Sequence, residues 1–184
     1  MALKTLVKIG GVTNLSDARY CAGMGVDMLG FDVIPGRPNY ISPESYQQIR
    51  GWVTGPLIVA EITGLQNPED LTQILENYRP DMLQMGLTEL TSIPSPPLPY
   101  ILSLNENQDI SHLAIKPEYV LGNSRLNPPL NAAFLMEVSS TDEANNALLN
   151  TSIRGIAMAG GPELKPGLKD YSSLADILEL LEVE

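Results

Sequence analysis

The chain has 184 residues, 22 acidic against 11 basic, for a formal net charge of −11. Hydrophobic residues make up 43% and charged ones 18%, which suits one folded domain and excludes a disordered chain. The acidity argues against nucleic acid and anionic membrane as partners, and a single cysteine excludes an internal disulfide framework.

The first half alternates. Leu6 to Ile9 is a β-branched run ending in Gly10-Gly11. Asn14 caps a predicted helix to about Met24, with Leu15, Ala18, Cys21 and Ala22 on one stripe. Met28 to Ile34 is the next strand, stopped by Pro35-Gly36. Ser42-Pro43 starts a second helix, with proline at its first position, running to about Trp52. Pro56 to Ile62 is a third strand, Asn67-Pro68-Glu69 opens a third helix, and Met82 to Met85 is a fourth strand. Strands alternating with helices of this length mean βαβ units and a parallel sheet.

The middle reads differently. Two more strands, Tyr100 to Leu104 and Tyr119 to Leu121, lie between Pro- and Asn-rich connections. Proline removes a backbone donor and clashes with the preceding turn, so these connections read as loops or single turns. The pattern then resumes with a strand at Phe134 to Val138, a helix at Thr141 to Leu149, a strand at Gly155 to Ala159 and a last helix at Ser172 to Leu181. Eight parallel strands point to an α/β fold, a (β/α)8 TIM barrel. Such barrels run to about 250 residues. The shortfall falls on the helices after strands 4, 5 and 6, which are expected to be reduced or missing. An open doubly wound sheet is the competing architecture, but the chain has no nucleotide-binding glycine motif. Thinly covered strands 4 to 6 would expose apolar surface, so a homodimer through that helix-poor side is expected. No apolar run is long enough to span a bilayer, and the N-terminus moves straight into a strand. These features predict a soluble, cytoplasmic protein.

Several segments resemble one family, phosphoribosylanthranilate isomerase of tryptophan biosynthesis. Lys8-Ile9-Gly10-Gly11-Val12-Thr13 stands where the family has Lys-Ile-Cys-Gly-Ile-Thr. Gly30-Phe31 followed by Pro35-Gly36-Arg37-Pro38-Asn39-Tyr40-Ile41-Ser42-Pro43 is similar to its second strand and loop. Asp81-Met82-Leu83-Gln84-Met85 resembles its fourth strand, and Pro166-Gly167-Leu168-Lys169-Asp170 its Pro-Gly-x-Lys-Asp.

The resemblance implies an Amadori rearrangement of an aminoaldose phosphate, which needs a general base and a general acid. It places the base, a cysteine, at Gly10 and the acid, an aspartate, at Gly122 or Asn123. It places a substrate-holding arginine at Asn39, with Arg37 two residues earlier on the same loop. Phosphate in the family is held by backbone N–H groups after strands 7 and 8. Those positions are Ser139 and Ser140 after strand 7, and Gly160 and Gly161 after strand 8. They suit a small phosphosugar ligand, except that Glu137 beside it would repel an anion by about 4 kcal/mol at 4 Å and an effective dielectric near 20.

Three acids, Asp32, Glu61 and Glu137, fall in the C-terminal halves of otherwise apolar strands. Lys8 lies on the same strand face as Gly10 and is their natural partner. This set can be a relocated acid/base group, a weak metal site or a structural ion-pair network, and no cofactor is implied. Cys21 reads as a core residue, His112 as a loop residue, and Trp52 as core or interface packing. Three functions stay open: an isomerase-like protein of the family's type impaired in or lacking the isomerisation, a non-catalytic barrel that binds a phosphosugar or acidic metabolite or serves a regulatory role, and an enzyme of changed chemistry using carboxylates at the barrel mouth.

Overall fold

Three caps set where the helices begin. Asn14, Ser42 and Ser140 each accept a hydrogen bond from the backbone N–H three residues on, at Asp17, Ser45 and Glu143. In the computed structural model, which describes residues 2–106, 108, 110, 116–126, 132–160, 163–165, 168–169 and 172–183, these caps lead into α1 (Leu15–Gly23), α2 (Pro43–Arg50) and α5 (Thr141–Leu149). At 163–165 and 168–169 it describes the backbone. The other helices are α3 (Asp70–Tyr78), α4 (Leu87–Ser92) and α6 (Ser172–Leu181).

Eight parallel strands close into a barrel in chain order. They are β1 (Leu6–Gly10), β2 (Met28–Asp32), β3 (Leu57–Glu61), β4 (Met82–Met85), β5 (Tyr100–Ser103), β6 (Tyr119–Gly122), β7 (Ala133–Glu137) and β8 (Ile153–Ala159). β8 pairs with β1 over five residues, Leu6 to Gly10, and completes the ring. A short antiparallel pair, β9 (Glu163–Lys165) and β10 (Leu168–Lys169), follows it. This is the (β/α)8 barrel that the alternation predicts.

The connection after β4 departs in detail from the expected loop. It carries α4, a helix of six residues. The Glu89 carboxylate holds that helix, accepting from Gly86 N at 2.9 Å and from Gly64 N at 2.8 Å. A buried side chain thus supplies what a hydrophobic stripe does elsewhere. Between β5 and β6, and between β6 and β7, no helix occurs among the described residues. The third helix also starts later than Asn67 suggests. Asn67 and Pro68 form a turn whose carbonyls accept from Asp70 and Leu71.

Strand alternation sorts the core into two. Val7, Ile9, Leu29, Phe31, Ile58 and Leu83 point outward against the helices, with Cys21 buried among them. Met28, Val59, Met82, Ile101, Leu121, Leu135 and Ala157 form a separate buried cluster inside the barrel. Lys8 pairs in register with Met28 and Ala157, so it shares their inward face. It sits on top of the apolar plug, with the mouth above it. Trp52 is not core: it is 71% exposed. His112 lies outside the described residues.

Candidate active site at the barrel mouth

Lys8 is 2% exposed, and a lone ammonium there would be costly. Glu61, at the end of β3, resolves this. Its Oε1 lies 2.7 Å from Lys8 Nζ, and its Oε2 accepts from Gly11 N at 3.2 Å. Two glycines make room. A Cβ on Gly10 would lie 2.7 Å from Glu61 Oε1 and 3.1 Å from Lys8 Nζ, and one on Gly30 would collide with Glu61 Oε1. Gly11 has φ +62 and would press a side chain onto Asn39 Nδ2, so it is glycine on two counts.

Asp32 ends β2 opposite Glu61 in register. Arg37 Nε donates to its Oδ2 at 2.7 Å, and Ile34 N to its Oδ1 at 3.2 Å. Asp32 is 7% exposed and Arg37 43%. A third ion pair, Arg125 with Glu106, lies beside Asn123, whose Nδ2 also donates to Glu106. Gln84 pairs in register with Glu61, and among the described residues its buried Oε1 has no hydrogen-bond partner, nor has Ser103 Oγ on β5.

A cavity of about 550 Å³ is lined by Lys8, Gly10, Asp32, Arg37, Asn39, Glu61, Gln84, Asn123 and Glu137 among others. Glu137 is exposed, and among the described residues no hydrogen bond or ion pair engages its carboxylate. Of the strand-end carboxylates Asp32, Glu61 and Glu137 it is the one without a donor among the described residues, since both oxygens of Asp32 and of Glu61 have one. No group of three or more His, Cys, Asp or Glu side chains among the described residues is arranged to hold a metal ion.

Of the expected phosphate donors, Ser139 and Gly160 are engaged inside the protein. Ser139 N and Ser139 Oγ both donate to Glu143 Oε2, at 2.7 and 2.9 Å. Ser140 Oγ caps α5 by accepting from Glu143 N. Gly160 N donates to Gly10 O at 2.8 Å. Gly161 lies outside the described residues. Glu143 escaped the sequence reading, although Ser140 followed three residues later by Glu143 is a capping-box pattern that would have flagged it. Its hydrogen bonds from the Ser139 backbone, then from the Ser139 hydroxyl, hold its carboxyl below the ordinary carboxylate range.

Comparison with known proteins bears on this site. No family model matches the chain. The N-(5'-phosphoribosyl)anthranilate isomerase of Xanthomonas campestris pv. campestris (strain 8004) is 24% identical over an alignment of 206 residues, covering 96% of this chain and 92% of that protein. The same isomerase from Brucella canis is 27% identical, covering 94% of this chain and 92% of its own. The crystal structure of phosphoribosyl anthranilate isomerase from Thermus thermophilus superimposes with a TM-score of 0.74 at 20% identity, covering 95% of this chain and 96% of that one. The chain resembles the phosphoribosylanthranilate isomerases over nearly its whole length. The structural likeness establishes the fold.

The sequence resemblance leads one to expect the base at Gly10 and the acid at Gly122 or Asn123. Neither glycine faces empty space. Glu61 and Lys8 fill the room at Gly10, while a Cβ on Gly122 would lie 2.7 Å from Leu126 Cδ2. Asn123 is tied to its loop, its Oδ1 accepting from Arg125 N at 3.0 Å.

Proposed function

We propose that the chain is a phosphoribosylanthranilate isomerase-like protein of tryptophan metabolism, impaired in the Amadori isomerisation that the resemblance implies. One observation carries the reading. The space of the expected base belongs to the Lys8–Glu61 pair, whose oxygens are both committed. Losing a general acid or base typically costs 10²–10⁴-fold, and here both positions lack one. The reading goes with a cytoplasmic location; among the described residues no helix is long and apolar enough to cross a membrane.

The test is rescue of a tryptophan auxotroph lacking this isomerase, paired with an assay of the purified chain on phosphoribosylanthranilate. No growth and at most a residual rate are expected. Rescue at the rate given by an intact isomerase would overturn the reading.

Glu137 favours a second reading, an enzyme of changed chemistry. It offers the cavity an unengaged carboxylate above a polar floor of Lys8 and Glu61. Any activity found would then fall by about 10²-fold or more in Glu137→Gln. An activity indifferent to that change would remove Glu137 from the chemistry.

A further inference from the structure

The charge inventory of the mouth points to what it excludes. Among the described residues four acids line the cavity, Asp32, Glu61, Glu137 and Glu143, against two cations, Lys8 and Arg37. Both cations are spent, on Glu61 and on Asp32. An incoming dianion thus meets Glu137 and Glu143 with no unpaired cation from this lining to offset them.

Barrels commonly hold phosphate with backbone N–H groups of the loops after strands 7 and 8. Four donors of those loops already have internal acceptors. Val138 N donates to Ala157 O at 3.0 Å and Gly160 N to Gly10 O at 2.8 Å. These two bonds tie the strand ends into the barrel. The other two, Ser139 N and Ser139 Oγ, converge on one oxygen of Glu143 at 2.7 and 2.9 Å. Short bonds from an amide and a hydroxyl to one anionic oxygen are what a phosphate oxygen would receive there.

Helix capping does not account for this placement. In a capping box the acidic residue bonds the N–H of the cap residue itself. Here the cap is Ser140, yet the Glu143 carboxylate bonds the residue before it, on the side of the cavity that Ser139 and Glu143 both line.

We propose that Glu143 determines ligand class: its carboxylate takes the place of a ligand phosphate at the end of β7 and restricts the mouth to ligands that lack one. This deepens the reading above, and the two fail separately. A protein dead as an isomerase that nevertheless takes phosphate at Ser139 overturns this inference alone.

The test uses inorganic phosphate on the wild-type chain, Glu143→Ala and Glu143→Gln, against sodium chloride of matched ionic strength. Two signals are read, the melting temperature and the amide NMR shifts of Ser139 and Ser140. The wild type should show no saturable phosphate effect. Glu143→Ala should gain one on both signals, with affinity raised by about tenfold or more, because a bound anion stabilises the state that binds it. Glu143→Gln keeps the side-chain shape without the charge and should gain a smaller effect; it decides the matter if the alanine variant does not fold. A capping role alone would lower both melting temperatures with no phosphate dependence, and that result overturns the proposal. So does saturable binding at Ser139 in the wild type.

Discussion

Glu61 Oε1 stands 2.7 Å from the point where a Cβ on Gly10 would be, so the two positions compete for one volume. Gly10→Cys, the change that would restore the expected base, must push Glu61 or Lys8 out of place. Overpacking of this kind costs about 1–3 kcal/mol. The single variant should lose that much stability and gain no isomerase activity. Combining it with Glu61→Ala should make the cysteine cheaper, and urea denaturation of the four proteins of the cycle reads the coupling. Additive losses would mean that the two side chains do not share the space.

The Lys8–Glu61 pair should be asymmetric. Lys8 is 2% exposed and Glu61 15%. Glu61→Ala strands an ammonium in the barrel, and removing one partner of a buried pair costs about 3–5 kcal/mol. Lys8→Met leaves a carboxylate that keeps Gly11 N and borders the open mouth, so its cost should be smaller. Replacing both by Met and Leu should be near neutral, because desolvation of an ion pair offsets most of its attraction. Unfolding free energies check the order. A larger loss for Lys8→Met would refute the desolvation argument.

Salt should separate the three ion pairs. Arg125 and Glu106 are 77% and 39% exposed, so Arg125→Ala should cost under about 1 kcal/mol. That loss should vanish in 1 M NaCl, where the screening length is about 3 Å. The loss from Glu61→Ala should survive the same salt. Arg37→Ala should fall between them, since Arg37 is 43% exposed while its partner Asp32 is 7%. Denaturation at low and high salt gives all three comparisons. Equal salt sensitivity would contradict the burial ranking.

What the sequence reveals of this barrel follows from how local each signal is. The bounds of α5, α6 and β4 coincide with those expected from sequence; the Ser140 cap marks the start of α5, and apolar runs mark β4 and α6 within a few residues. The need of Lys8 for an acidic partner is legible too, since a charge on an apolar strand face must be paired. That the partner is Glu61, 53 positions away, depends on the register of β3 and on the missing side chains of Gly10 and Gly30. No local pattern encodes that. What holds the reduced helix α4 is non-local for the same reason: Glu89 accepts from Gly64 N on the loop after β3. Trp52 is outside the core: size and hydrophobicity say nothing of where a helix ends relative to the core.

Acid should expose the role of Glu143 in stability. In the folded chain its carboxyl lies below its ordinary value of 4.5, chiefly because Ser139 N donates to it, with the Ser139 hydroxyl second. A depressed folded value means that folding favours the charged form. The contribution is therefore complete above about pH 4.5, the unfolded value, and is lost as pH falls through the lower folded one. Wild type should thus be more stable than Glu143→Gln at pH 7. The gap should narrow as pH falls below 4.5 and close only below the lower folded value, where both carry a neutral side chain at this position. Glu44 is shifted the same way, by its own backbone N–H and then by Ser42, so the variant keeps part of the acid sensitivity. Urea midpoints of the two proteins between pH 7 and pH 3 measure the difference. A gap that widens toward acid would reverse the sign and show that the Ser139 hydrogen bonds favour the protonated carboxyl.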